Sequence, residues 1–448
     1  MLTRRRTSPA KSTKAENGAG RPASARPSDA LSRRARCAAG QPISYLMHHA
    51  LAHPEVISLA AGFVDQQTLP VEATLTAAEA LLGDPQAGRA ALQYGTTAGY
   101  LPLRAQVLER LLAADGLSQA ETTASIDQVV VTAGSNELLH LLADTLFDPG
   151  DIVLCAAPSY FVFLGMATNL GVRSIGVEMD SDGMIPEAVE EQLALLERRG
   201  ELPRVKALYV VSYFDNPSSV TLAKERRGRL VEIAQRWSKH HPIYVLEDAA
   251  YRQLRYDGDD LPSLRAYDAE GQTVIVTETF SKSFSPGIRV GWGVLPKALV
   301  GPVLEQKGNV DFGSPNFAQH LMARILDQGL FEPHVERLRT SYRGKLAAML
   351  EAADEFLAPL PGVHWLRPHG GLYVWLQLPE EIDAGPSGRL LQAALDEGVL
   401  YVPGQYCYPG EGVPAKHNTI RLSFGVQSPE RIRAGIEALA RALARVME

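Results

Sequence analysis

Cysteine is scarce. The 448 residues hold three, Cys37, Cys155 and Cys407, widely spaced and odd in number. That spacing rules out a disulfide framework and a cysteine-based metal cluster, and it fits a reducing compartment. No apolar run approaches the roughly 18 residues that a membrane-spanning helix needs. Positive charge is not in excess: 44 Lys and Arg face 51 Asp and Glu, a net charge of −7. This balance argues against nucleic acid as a general partner. Histidine is sparse as well. His49 and His53 stand four apart with no third ligand nearby, and His240-His241 reads as a helix end, so no metal site is expected. What is there is ordinary for a globular chain, 46% hydrophobic and 21% charged. The length allows a large core, as two or three domains or as one large domain with a smaller partner.

Residues 1–40 differ from the rest. They carry ten Lys and Arg against Glu16 and Asp29, with almost no large apolar side chain. Such a stretch buries too little surface to offset its ordering entropy, so a disordered basic tail is expected. A cytoplasmic protein is the reading that follows. The alternative is an organelle, since transit peptides share this Arg- and Ser-rich, acid-poor composition. No helix-turn-helix pattern is present in the tail.

From Pro42 a globular pattern begins. Ile43 to Ala52 has the spacing of a short amphipathic helix, and Val56 to Phe63 runs extended through Gly62. Val71 to Leu82 is helical in spacing, and a later helix sets Leu101, Leu108, Leu111 and Leu112 on one face. Seven apolar runs follow, at 128–132, 152–156, 172–178, 205–211, 243–247, 273–278 and 289–294. Helical patterns fill the gaps, as at 136–147, 186–198 and 223–238. Short β-branched runs without polar alternation predict a mainly parallel sheet covered on both faces, an α/β domain. Ligands of such a sheet sit at the carboxyl ends of its strands. Phe331 to Leu357 reads as a long helix, charged on one side by Glu336, Arg337, Arg339, Arg343 and Lys345. The remainder mixes strands (371–376, 419–424) with helices (387–397, 429–446), an α+β pattern.

The strand ends carry the chemistry. The run Val274 to Thr277 leads into Thr279-Phe280-Ser281-Lys282-Ser283-Phe284-Ser285-Pro286-Gly287-Ile288-Arg289. A lysine just past a buried strand is desolvated, which lowers its pKa and makes its amine a nucleophile toward carbonyls. Hydroxyls and an arginine around it suit a phosphate. Amine and phosphate pocket together are what pyridoxal phosphate (PLP) requires. The run Ile243 to Leu246 ends in Glu247-Asp248-Ala249-Ala250-Tyr251. A carboxylate there needs a partner, either a protonated pyridine nitrogen or the N-terminus of a helix that it caps. Asn216, in Asp215-Asn216-Pro217-Ser218-Ser219, and Tyr251 offer donors for a phenolic oxygen. Thr132-Ala133-Gly134-Ser135-Asn136 joins a strand to a helix start, where backbone N–H groups bind phosphate or are simply capped. Arg421, between Ile420 and Leu422, needs an anion from the protein or from a ligand.

Taken in order, these motifs resemble the class I/II PLP-dependent aminotransferases of fold type I, from about Ser44 to the C-terminus. Within that class the chain is most similar to the group of 2-aminoadipate and kynurenine aminotransferases. The grounds are Ser58-Leu59-Ala60-Ala61-Gly62, Leu92-Gln93-Tyr94-Gly95, Ser281-Lys282-Ser283-Phe284-Ser285-Pro286-Gly287-Ile288-Arg289 and Gly370-Gly371-Leu372-Tyr373-Val374-Trp375.

The resemblance implies a seven-stranded, mainly parallel sheet between helices in a large domain, plus a smaller α+β domain. It implies a division into the tail 1–40, an N-terminal arm 41–71 that belongs to the small domain, a large PLP-binding domain 72–328 and a C-terminal small domain 329–448. Lys282 would be the Schiff-base lysine and the acid/base. Asp248 would hold the pyridine nitrogen protonated, and Asn216 and Tyr251 would bond the phenolic oxygen. Ser135, Asn136, Thr279, Ser281 and Arg289 would cradle the phosphate, and Tyr160 would stack on the ring. Tyr94 would reach the phosphate of the neighbouring subunit in a homodimer with shared active sites. Arg421 would pair with the substrate α-carboxylate, with the Gly62 backbone beside it. The implied reaction moves an amino group from 2-aminoadipate, an aromatic or another bulky amino acid to a 2-oxo acid such as 2-oxoglutarate. A β-lyase, decarboxylase or oxidase on the same fold is the alternative. The chain departs from the family's Asn-Pro-Thr-Gly turn, having Asn216-Pro217-Ser218-Ser219, which leaves the local active-site shape open.

Overall fold

The seven β-branched runs pair into one sheet. In the computed structural model, which describes residues 30–37, 55–60 and 62–448, they form β1 (Val129–Thr132), β2 (Ile152–Ala157), β3 (Arg173–Asp180), β4 (Val205–Val211), β5 (Tyr244–Asp248), β6 (Val274–Thr279) and β7 (Gly291–Val294). Their order across the sheet is β3-β2-β4-β5-β6-β7-β1. Neighbours run parallel except at β7, which is antiparallel to both β6 and β1. Two further two-residue strands join, too short to show as apolar runs. Glu411–Gly412 lies parallel beyond β3, and Gly183–Met184 folds back on the end of β3.

Every residue of β1 and β2 is buried. Alternate side chains serve opposite faces, which is why the runs show no polar alternation. Val129, Val131, Ile152 and Leu154 face one core with Leu103, Leu193, Leu230 and Leu321. Val130, Val153 and Cys155 face another with Leu138, Leu164 and Leu299. The helix Leu101–Ala114 buries Leu103, Val107, Leu108, Leu111 and Leu112. Leu101, expected on that face, is exposed instead, because it opens the first turn and projects beyond the core.

A second core joins residues 56–60 to the C-terminal part of the chain. Ile57–Ser58 pairs in parallel with Val399–Leu400. Beside it, His364–Trp365, Tyr373–Gln377, Thr419–Ser423 and Val402–Pro403 form an antiparallel sheet in that order. Leu59 and Ala60 share this core with Leu338, Leu372, Ile420, Leu422 and Leu439. The long helix Phe331–Phe356 crosses between the cores: Phe331 packs in the first and Leu338 in the second. Lys345 does not lie on a solvated charged face of that helix. It is buried and pairs with Asp65 at 2.8 Å, because the segment after Gly62 lies over it.

Of the stretch expected as a tail, Arg33–Cys37 forms a five-residue helix, with Arg34 paired to Asp144 at 2.9 Å. The expected helix 43–52 and the His49/His53 pair lie outside the described residues. No described helix is long and apolar enough to cross a membrane.

Candidate active site

One edge of the large sheet collects the ends of β1, β2, β4, β5 and β6. Because β7 runs antiparallel, its beginning lies at the same edge, and Arg289 just before it meets the turn that follows β6. Topology alone thus gathers residues 132–136, 211–216, 248–251 and 279–289.

The turn after β6 is pinned from below. Phe280 and Phe284 are buried, with ring centroids 5.6 and 6.4 Å from that of Phe331. Between these anchors Lys282 projects toward the cavity, and its Nζ donates to the Gly62 carbonyl oxygen at 2.9 Å. Burial holds the amine below the usual lysine range. Tyr373 opposes that shift, and the positive charges of Arg421 and Arg289 reinforce it.

Glu247 and Asp248, adjacent on β5, point to opposite faces and differ in their partners. Glu247 is fully satisfied by Arg227 at 3.7 Å, the Ser212 hydroxyl at 2.6 Å and the Leu264 N–H at 2.9 Å. Asp248 is equally enclosed but receives only the Tyr209 hydroxyl at 2.9 Å and the Ala250 N–H at 3.1 Å. No cation of the described residues pairs with it. Burial pushes its pKa above the usual carboxylate range, and those two donors restrain the rise.

At the far side, the helix Ser135–Leu146 opens on Gly134, whose φ of +88° aims the first N–H groups outward. A Cβ on Gly134 would collide with the Arg289 guanidinium. Thr279 Oγ1 donates to Ser281 Oγ at 2.9 Å, and Arg289 Nη1 donates to the same oxygen at 3.3 Å. This cluster of hydroxyls, a guanidinium and a helix N-terminus is a built anion cradle. Tyr160 bonds Asn136 beside it.

Arg421 comes from the other core. Its side chain is 1% exposed. Nη1 donates to Asn216 Oδ1 at 2.7 Å and Nη2 to the Ala60 carbonyl at 2.9 Å, while Nε has no partner. No carboxylate of the described residues pairs with it. The Tyr373 ring lies 4.2 Å from its guanidinium carbon and the Phe161 ring 5.4 Å. Because Asn216 accepts through Oδ1, its amide nitrogen is left to donate elsewhere. The Tyr251 and Tyr373 hydroxyls stand 3.1 Å apart, and burial raises the pKa of Tyr251 well above its ordinary value.

A cavity of about 170 Å³ is lined by Ser135, Asn136, Tyr160, Asn216, Asp248, Tyr251, Thr279, Ser281, Lys282 and Arg289. Gly62 and Arg421 join it through their hydrogen bonds to Lys282 and Asn216. Tyr94 stands apart, 79% exposed and edge-on to Phe312. Reading the sequence missed Tyr209, which holds Asp248, and Tyr373, which backs Arg421. It also passed over Asp215, buried beside Asn216 and pushed up to about 7 by that burial.

The unmet needs of this cavity fit PLP. Asp248 lacks a cation and a pyridinium is one. The cradle around Ser281 and Arg289 suits a phosphate, and Lys282, its amine held below the usual range by burial, suits an aldehyde.

Comparison with known proteins agrees. A family model described as aminotransferase class I and II matches residues 54–439. The chain is 34% identical to aromatic-amino-acid aminotransferase 1 of Thermococcus litoralis, over 88% of this chain and 89% of that protein. It is 34% identical to 2-aminoadipate transaminase of Thermus thermophilus, over 87% of this chain and 90% of that one. A crystal structure of Pyrococcus horikoshii kynurenine aminotransferase in complex with PMP superposes with a TM-score of 0.85 at 32% identity, covering 94% of this chain and 98% of that chain. On this match and these relatives the chain belongs to the class I and II aminotransferases, PLP-dependent enzymes of fold type I that transfer amino groups.

Proposed function

We propose that the chain transfers the amino group of a bulky amino acid, 2-aminoadipate or aromatic among the candidates, to a 2-oxo acid such as 2-oxoglutarate. The observation that carries this reading is a buried carboxyl without a cation, Asp248, and a buried guanidinium without an anion, Arg421, at one cavity among the described residues, with a desolvated lysine beside them. Bound PLP supplies a carbonyl that condenses with amines and a ring that accepts electrons from the bonds at Cα. Asp248, steadied by Tyr209, would keep a proton on the pyridine nitrogen. Asn216 Nδ2 and Tyr251 Oη would donate to the phenolic oxygen. Ser135, Asn136, Thr279, Ser281 and Arg289 would hold the phosphate, and Tyr160 would cover the ring. Arg421 receives the α-carboxylate in its planar fork, a contact shared by donor and acceptor. Gly62 gives that carboxylate a close backbone neighbour. Lys282 Nζ, held below its usual pKa by burial, would take the proton from substrate Cα and deliver it to the cofactor carbon that was the aldehyde, which leaves the amino group on the cofactor.

We further read residues 41–71 with 329–448 as the small domain and 72–328 as the large one. We take the functional unit to be a homodimer in the cytoplasm. Val71, Leu75, Leu92, Tyr94, Leu101, Val310 and Phe312 are all exposed, and the Tyr94 and Phe312 rings meet edge-on, apolar surface that suits a second copy of the chain. Tyr94 among them is free to enter a partner's cradle. Three free cysteines suit the compartment.

The test is a half-reaction. The PLP-loaded protein is mixed with single amino acids, without any oxo acid, and its visible absorption is followed. Conversion to the pyridoxamine absorption identifies the donor. Release of ammonia, CO₂ or peroxide with the visible band retained would instead favour a lyase, decarboxylase or oxidase.

A further inference from the structure

The turn that carries Asn216 ends on a strained residue. Ser219 has φ +57°, in the left-handed region, where a side chain is unfavourable by about 1 kcal/mol. It is 5% exposed, so water does not satisfy its hydroxyl. Its Oγ instead donates to the backbone oxygen of Tyr373 at 2.7 Å. Tyr373 opens the strand Tyr373–Gln377, which sets Trp375 opposite Arg421, and its ring lies against the Arg421 guanidinium. The same turn touches Arg421 directly through Asn216 Oδ1. The turn therefore grips the second core at two points: the guanidinium, and the backbone that carries the ring beneath it. Inside the turn nothing is slack. Ser218 Oγ donates to Asp215 Oδ2 at 2.7 Å, the Ser219 N–H donates to the Asp215 oxygen at 2.5 Å, and the Asp215 N–H donates to the Val220 oxygen at 2.8 Å.

We propose that Ser219 is a positioning residue: its hydroxyl ties the Asn216 turn to the Tyr373 strand and so fixes the pose in which Arg421 meets the substrate carboxylate. This rests on the reading that Arg421 receives the α-carboxylate. A strained backbone persists where surrounding contacts over-determine it. Here the surrounding contact is the Tyr373 carbonyl, reached because Ser219 is held left-handed.

Glycine and alanine at this position together separate the tie from the strain. Ser219→Gly removes the hydroxyl and relaxes the backbone at once. The expected holoenzyme melts no lower than the wild type. Its KM rises about 3- to 10-fold for both the amino donor and the 2-oxo acceptor, as loss of one hydrogen bond implies, while kcat stays within about twofold. The dissociation constant of an unreactive monocarboxylate such as hydrocinnamate, measured by calorimetry on the PLP-loaded enzyme, rises by the same factor. Ser219→Ala, which keeps the strain and loses the tie, shows the same KM shift with a lower melting point. Unchanged KM values for both substrates in both variants overturn the proposal. Arg421→Lys is the control. If it raises both KM values and the Ser219 variants do not, the tie alone fails. If Arg421→Lys leaves them unchanged, the carboxylate reading falls and the proposal with it.

Discussion

Replacing Tyr209 by phenylalanine removes one hydroxyl from β4 and little else. The ring stacks on Phe163 at 3.9 Å with an angle of 17° between planes, and phenylalanine keeps that contact. What is lost is the 2.9 Å hydrogen bond to Asp248 Oδ2, one of two donors that offset the burial of that carboxyl. A hydrogen bond to a charged acceptor contributes about 1.5–3 kcal/mol. The donor favours the ionised form, so its removal moves the Asp248 pKa further up, the direction in which burial already drives it. An Asp248 that ionises less readily pairs less well with a pyridinium. The expected affinity of the apoenzyme for PLP therefore falls about 10- to 100-fold. The acid limb of the kcat/KM profile moves to higher pH, and the apoenzyme loses no more than about 1.5–3 kcal/mol in chemical unfolding. Equilibrium dialysis against PLP and a pH–rate profile measure both effects. PLP affinity within about twofold of the wild type, with an unmoved acid limb, would refute the reasoning and leave Tyr209 as a packing residue.

Three further outcomes are expected. Lys345→Met strands Asp65 in the second core and should destabilise the protein by about 3–5 kcal/mol in urea unfolding, with much of that loss recovered in the Lys345→Met/Asp65→Asn double variant. Glu278, pushed up to about 7 by burial in a cavity behind β6, gives the opposite sign from a salt-bridged carboxylate. Its unfolded form ionises first, so stability is full at low pH and declines as pH rises from the ordinary carboxylate range through about 7. Glu278→Gln should flatten that decline between about pH 5 and 8, with the share due to Asp215 remaining; an unaltered slope would contradict the assignment. Mixing Tyr94→Ala with Lys282→Ala subunits should restore roughly a quarter of wild-type activity if each tyrosine serves the partner's site, and none if it serves its own.

The sheet was legible because its strands are buried on both faces, leaving runs such as Val129-Val130-Val131 with nothing polar to blur them. Lys282 and Asp248 were legible as charges set where a strand ends. Tyr160, Tyr94 and Gly62 came from the family resemblance, since nothing in periodicity marks them. Tyr209 and Tyr373 were not legible for a definite reason. Val211 lies opposite Asp248 in the pairing of β4 with β5, so Tyr209 reaches the carboxylate as a diagonal neighbour. Ser423 lies opposite Tyr373 and Trp375 opposite Arg421, so Tyr373 reaches the guanidinium in the same way. Diagonal contacts depend on register, and register belongs to two segments at once. Leu101 shows the converse limit. An apolar residue in register with a helix face looks the same in sequence whether it packs into the core or lies beyond it.

Glu247 and Asp248 state the physical argument for the site in two adjacent residues. Both are buried on one strand, and both are raised in pKa by that burial. One has a guanidinium, a hydroxyl and a backbone N–H, while the other has two neutral donors and no cation among the described residues. Arg421 is the mirror case, a buried cation held by an amide oxygen and a carbonyl, with Nε unsatisfied. A buried charge without a counter-charge is destabilising by several kcal/mol, and folding alone gives no reason to keep two of opposite sign at one cavity without joining them to each other. The arrangement is favourable only once something brings a cation to Asp248 and an anion to Arg421. In the proposed reading a protonated pyridine ring would meet the first demand and an α-carboxylate the second. The order in which the demands are met follows from their surroundings. Asp248 lies at the end of a large-sheet strand beside the anion cradle, and in the proposed reading the two would hold the cofactor together. Arg421 comes from the second core and is aligned by contacts that cross between the two cores. Cofactor affinity should therefore respond chiefly to changes in the large sheet, and substrate KM to changes where the cores meet.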